Sequence, residues 1–276
     1  FSETEFTRKR FDAKLTGESV KYNIANTKQV TFEITERCNL NCKYCAYGDF
    51  YNDYDKRERK DLEIEKAKLF LNYMKELWNS SLNSSQDNNV YISFYGGEPL
   101  LNFKFIREIV KFVKKLDVKH NRFTFSMTTN GVLIEKYMDF LVENKFNLLI
   151  SLDGNRENNS YRVFKDGKAS YNYVLKSVLA LKNKYPEYFK NRVNFNTVLH
   201  NKNSVSDIHK YFKQMFDKKP SIGELNNVGI REDKKKEFMK AYSNIYESLH
   251  TSEDYTYIEK DMFIKLPDIQ NLSTFL

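Results

Sequence analysis

A chain of 276 residues with 41% hydrophobic and 30% charged side chains can bury one large core, which excludes global disorder. The length fits a single domain of the (β/α) barrel size, about 250 residues. No apolar run approaches the roughly 18 residues of a membrane span and no signal-peptide pattern opens the chain, so no membrane partner is expected. The net charge of +8 is spread through the helices rather than gathered into one patch, which ranks nucleic acid well below peptide as a partner.

Residues 1–29 are polar and weakly periodic, and read as an N-terminal arm or the tail of an upstream module. Within them, 14–22 suits a hairpin turning at Thr16-Gly17. From Val30 the pattern alternates strand and helix, which argues for a parallel sheet. Strands are expected at 30–35, 90–95, 123–128, 148–152, 192–199 and within 222–229. Helices are expected at 61–78, 103–116, 133–141, 171–185, 205–216 and 232–249, with Pro186 just beyond the fourth. Six βα units predict an α/β fold, a partial (β/α)6 TIM-like barrel open on one side, over 30–250. Residues 251–276 read as a linker towards a further C-terminal region. Asn194 and Asn196 alternate along the fifth strand, where a parallel strand is usually apolar on both faces. They face either a polar lumen or a solvated gap.

All three cysteines, Cys38, Cys42 and Cys45, fall within residues 38–45. Their spacing lets one tight loop aim three sulfurs at one point, and soft thiolates together mean zinc or an iron–sulfur cluster. Structural zinc normally takes four protein ligands. His120, His200, His209 and His250 are distant in sequence, and each reads as a surface or capping residue. A cubane cluster held by three thiolates keeps one iron open instead. With no cysteine left for a disulfide, a reducing cytoplasm is the expected setting.

Further motifs fall at expected strand ends, where barrels place their reacting groups. Gly96-Gly97-Glu98-Pro99 follows the second strand, Thr129-Asn130-Gly131 the third, and Ser151-Leu152-Asp153-Gly154 the fourth. Asn-Gly and Asp-Gly are turn signals by themselves.

The C-x-x-x-C-x-x-C run, with Tyr44 directly before its last cysteine, resembles the radical S-adenosylmethionine (SAM) superfamily. The resemblance implies a [4Fe-4S] cluster on Cys38, Cys42 and Cys45, and SAM chelated at the open iron. Reductive cleavage of SAM then yields a 5′-deoxyadenosyl radical that abstracts hydrogen from substrate. It further implies that Gly96, Gly97 and Glu98 hold the SAM amino group, Ser151 its ribose and Arg162 its carboxylate. Tyr44 would lie by the adenine, with Val198 as one more contact.

The T-N-G and S-L-D-G segments resemble the SPASM/twitch-type subgroup of peptide and protein maturases, over residues 30–229. That subgroup includes ribosomal-peptide maturases and anaerobic sulfatase-maturing enzymes. It implies a peptide or protein substrate and an external electron donor of the ferredoxin or flavodoxin kind. Members continue into a cysteine-rich region, whereas no cysteine follows Cys45 here, so any acid or base acting on substrate is expected outside this chain. A nucleic-acid modifier and a catalytically silent peptide-binding scaffold are the alternatives.

Overall fold

The computed structural model describes residues 15–51, 57–84, 89–119 and 121–243. Six strands, β1 (Gln29–Thr35), β2 (Asn89–Gly96), β3 (Arg122–Thr129), β4 (Asn147–Ser151), β5 (Val193–Val198) and β6 (Ser221–Gly223), form one sheet in the order β1-β2-β3-β4-β5-β6. Every pairing is parallel. A doubly wound sheet reverses its strand order at a switch point. This one does not, and β1 does not pair with β6, so it is a barrel wall left open on one side.

Alternation within the strands explains which side the helices cover. Val30, Phe32 and Ile34 of β1, Val90, Ile92 and Phe94 of β2, and Val193 and Phe195 of β5 are buried in one continuous core. The helices close that core with stripes at helical spacing. α2 (Ile64–Trp78) buries Ala67, Leu71, Met74 and Trp78, and α3 (Phe103–Val113) buries Ile106, Ile109, Val110 and Val113. α4 (Ile134–Glu143), α5 (Tyr171–Lys184) and α7 (Val205–Phe216) continue the layer. Aromatic rings knit sheet to helices: Phe195 stacks on Phe216 of α7 at 4.7 Å between centroids.

Two expectations are corrected. The hairpin at 14–22 is a helix, α1 (Gly17–Ala25), because Thr16 and Ser19 form a reciprocal capping box that starts a helix at that turn. The helix is tied to the loop after α2, Asn26 Nδ2 donating to Leu82 O at 2.8 Å. Pro186 lies just beyond α5, as expected, and there opens a further helix, α6 (Pro186–Arg192), at a first-turn position where its missing N–H costs nothing. His200 is a fully buried residue, not a surface one. The last helix, α8 (Lys235–Tyr242), follows a short turn at Glu232–Lys234. His120, His250, the linker at 251–276 and residues 1–14 of the N-terminal arm lie outside the described residues. Among the described residues no helix is long and apolar enough to cross a membrane.

Candidate active site

The cysteine loop leaves the top of β1 and is fastened at both margins. Thr35 Oγ1 donates to Asp61 at 2.6 Å, and Arg37 grips the same carboxylate through Nε and Nη2 at 3.1 and 2.6 Å. On the far margin, the N–H groups of Asn41 and Lys43 donate to the carbonyls of Val163 and Tyr161. The loop coils tightly enough that a Cβ on Gly48 would lie 2.7 Å from the Cys42 carbonyl oxygen. Only glycine fits there.

All three cysteines line one pocket of about 320 Å³ at the C-terminal ends of the strands. Gly96, Gly97, Thr128, Asn130, Ser151, Arg162 and Tyr44 line it too. Burial pushes the Cys42 thiol up to about 12, despite the opposing Arg162 charge, and burial raises Cys38 as well. Such thiols bind metal with release of protons. Among the described residues no three Cys, His, Asp or Glu side chains are placed to hold a single metal ion. Three thiols lining one pocket fit a cluster with three sulfur corners, whereas a structural zinc normally takes four protein ligands. Amide donors already face one of these sulfurs, with Leu40 N 3.4 Å and Asn130 Nδ2 3.7 Å from Cys38 Sγ.

The double glycine serves the approach of two backbones. A Cβ on Gly96 would meet Thr35 O at 2.3 Å, and one on Gly97 would meet Arg37 O at 2.2 Å. Gly96 also has φ +136°, which side-chain-bearing residues rarely adopt. Gly97 N donates to Thr35 O and Glu98 N to Arg37 O, each at 2.8 Å, so the end of β2 is zipped onto the lead-in to Cys38. Glu98 itself does not line the pocket. Its fully buried carboxylate accepts from Leu100 N, Thr129 Oγ1 and Asn130 N at 3.0, 2.8 and 2.8 Å. Burial raises it to about 6, opposed by those three donors.

Asp153, just past β4, ties three elements together. Its buried carboxylate accepts from Arg162 Nε and Nη2, each at 3.0 Å, from Val198 N at 3.0 Å and from the Tyr44 hydroxyl. Burial alone would raise Asp153, but Arg162 and His200 hold it well below the usual carboxylate range. Arg162 in turn is held charged by Asp153 against its own burial. The Tyr44 ring stacks on His200, with centroids 5.9 Å apart. His200 Nδ1 accepts from Lys202 N at 3.1 Å, and its Nε2 lies 3.8 Å from Asp153 Oδ2.

The pocket thus gathers Tyr44, Gly96, Gly97, Ser151, Arg162 and the three cysteines. Glu98 lies beneath it, and Val198 stands outside it as a backbone donor to Asp153. Asp153, His200 and Asn130 were not singled out from sequence. The Asn-Gly and Asp-Gly pairs carried a turn signal and, with their neighbours, the subgroup resemblance, but no role for either side chain.

A second cavity of about 350 Å³ lies on the uncovered face of the sheet and meets the first at Tyr95 and Thr128. It touches β1 to β5, so that face is concave. Paired residues Thr31, Ser93, Ser126 and Asn147 form one row across it, and Asn194 lines it from β5. The asparagines of β5 belong to this polar face.

The profile described as "Radical SAM superfamily" matches residues 32–215. The chain is 34% identical over 184 residues to the cysteine-type anaerobic sulfatase-maturating enzyme of Clostridium novyi, covering 65% of this chain and 46% of that protein. It is 26% identical over 245 residues to the radical SAM cyclopropyl synthase TigE of Paramaledivibacter caminithermalis, covering 87% of this chain and 47% of that one. The solved structure of native anSMEcpe with bound AdoMet and Kp18Cys peptide superposes with a TM-score of 0.58 at 26% identity, covering 72% of this chain and 51% of that one. The chain spans about half the length of these relatives. With the profile matched across most of the described sheet and its cysteine loop, the chain belongs to the radical SAM superfamily, whose cofactors are a [4Fe-4S] cluster and SAM.

Proposed function

We propose that this chain is the SAM-cleaving domain of an enzyme that matures a ribosomally made peptide. The observation that carries the reading is the meeting of three thiols, a glycine-lined backbone, Ser151 and Arg162 in one pocket at the strand ends. Bound there, the cluster and SAM supply a one-electron reductive cleavage that yields methionine and a 5′-deoxyadenosyl radical for hydrogen abstraction.

The chain's own residues place and shield those groups. Cys38, Cys42 and Cys45 are the cluster ligands. The backbone at Gly96 and Gly97 faces the amino group of SAM, Ser151 its ribose, Arg162 its carboxylate, and the Tyr44 ring packs by the adenine. Glu98 supports this floor from below by fixing Thr129 and Asn130. The uncharged hydroxyl and amide row of the concave face adjoins the pocket and suits a peptide backbone without demanding a charged side chain. The electron comes from an external donor of the ferredoxin or flavodoxin kind.

Formylglycine formation on a sulfatase is the second reading, favoured by the 34% identity to a sulfatase-maturating enzyme. Anaerobically reconstituted protein, given SAM and dithionite, is expected to release 5′-deoxyadenosine, and no release would refute SAM cleavage. A sulfatase-type peptide carrying cysteine separates the readings. Its oxidation to the aldehyde supports the sulfatase maturase, and its recovery unchanged supports the peptide maturase.

A further inference from the structure

Arg162 has five N–H donors in a rigid plane. Asp153 takes the side edge of that plane, Nε and Nη2, at 3.0 Å each. Among the described residues Nη1 has no hydrogen-bond partner, and the side chain lines the cluster pocket although it is buried. The end edge, one N–H of Nη1 and one of Nη2, therefore remains for a second carboxylate. Asp153 is fixed in its turn. Val198 N and the Tyr44 hydroxyl both donate to it, Asn159 Oδ1 accepts from its N–H at 3.1 Å, and Asn203 Nδ2 donates to its carbonyl at 3.3 Å. Tyr44 lies between two of the cysteines, and its ring is backed by His200 and faced by the guanidinium at 5.2 Å.

We infer that Asp153 is a positioning residue for SAM: it clamps one edge of Arg162 so that the other edge meets the SAM carboxylate, and locks that geometry to the cluster loop through Tyr44. The inference rests on the SAM-cleaving reading above. Without the clamp, the guanidinium is free to rotate out of plane, and an ordered fork becomes a diffuse charge. Asn in place of Asp153 keeps the shape but sets an amide N–H₂ against one of the donors.

The test is SAM affinity of anaerobically reconstituted protein, by equilibrium dialysis, together with the change that SAM causes in the electron paramagnetic resonance spectrum of the reduced cluster. Iron content and melting temperature are the controls. Asp153→Asn is expected to keep its iron and bind SAM about tenfold more weakly, the worth of one good charge-assisted hydrogen bond. Arg162→Lys, which keeps the charge and loses the fork, is expected to do the same. The double variant should bind no more weakly than the worse single one, because both changes remove one device.

Tyr44→Phe keeps the ion pair and removes only the phenolic donor. It should weaken SAM about threefold, and it carries the test if Asp153→Asn does not fold. Unchanged or tighter binding in Asp153→Asn would overturn the inference, as would losses that multiply in the double variant. So would unchanged binding in Tyr44→Phe. Wild-type protein with full iron that binds no SAM would overturn the assignment of the pocket itself, and the clamp with it.

Discussion

The backbone N–H of Asn130 donates to Glu98 Oε2 across 2.8 Å, joining the turn after β3 to the turn after β2 beneath the cysteine pocket. Thr129 and Leu100 complete the set of donors, so the carboxylate is a buried acceptor for two neighbouring strand ends. That role makes stability, more than direct contact with a ligand, the first casualty of its loss.

Glu98 gives a signed pH prediction. Its folded-state value of about 6 lies above its ordinary 4.5, because burial opposes the charged form. The folded protein holds that proton more tightly, so the contribution to stability is full below pH 4.5 and lost as pH rises through 6. The loss is roughly 2 kcal/mol, at about 1.4 kcal/mol per pH unit. Glu98→Gln should remove this slope from urea unfolding of the iron-free protein. It should also cost about 1–3 kcal/mol at neutral pH, since the amide N–H₂ faces donors. An unchanged slope would contradict the assignment.

Gly97→Ala should damage the cysteine loop from a distance. The new methyl group would lie 2.2 Å from Arg37 O, a backbone atom that cannot swing aside. Overpacking of this kind costs about 1–3 kcal/mol or more. Melting temperature and iron retained after reconstitution should both fall. Full iron content would show that the zipper between β2 and the loop is dispensable.

Thr16→Ala tests the helix that replaced the expected hairpin. Thr16 Oγ1 accepts from Ser19 N at 3.1 Å, and loss of such a cap costs about 1 kcal/mol. A small drop in melting temperature with unchanged iron content is expected. No change would show that α1 adds nothing to the stability of the barrel.

The barrel was legible because period-two strands and 3.6-period helices alternate from Val30 onward, and all six expected strands form. Thr16-Gly17 misled because a turn and a helix cap share the same residues, and only the side chain of Ser19, three positions on, decides between them. At the site, clustering of the cysteines was visible in one line of sequence. The partners of Tyr44 were not. Asp153 and His200 are 109 and 156 residues away from it, and a lone buried histidine has no local pattern to mark it. Glu98 shows the converse: its place in a motif was readable, but not that its carboxylate points down into the floor.

The central claim is that Cys38, Cys42 and Cys45 hold the cluster that reduces SAM. The direct measurement is 5′-deoxyadenosine formed from SAM and dithionite by anaerobically reconstituted wild type and Cys42→Ala. Wild type is expected to bind iron and form the product, while Cys42→Ala should lose most of its iron and all detectable product. Cleavage that persists in Cys42→Ala, or a wild type that binds iron and SAM but forms no product, would contradict the account.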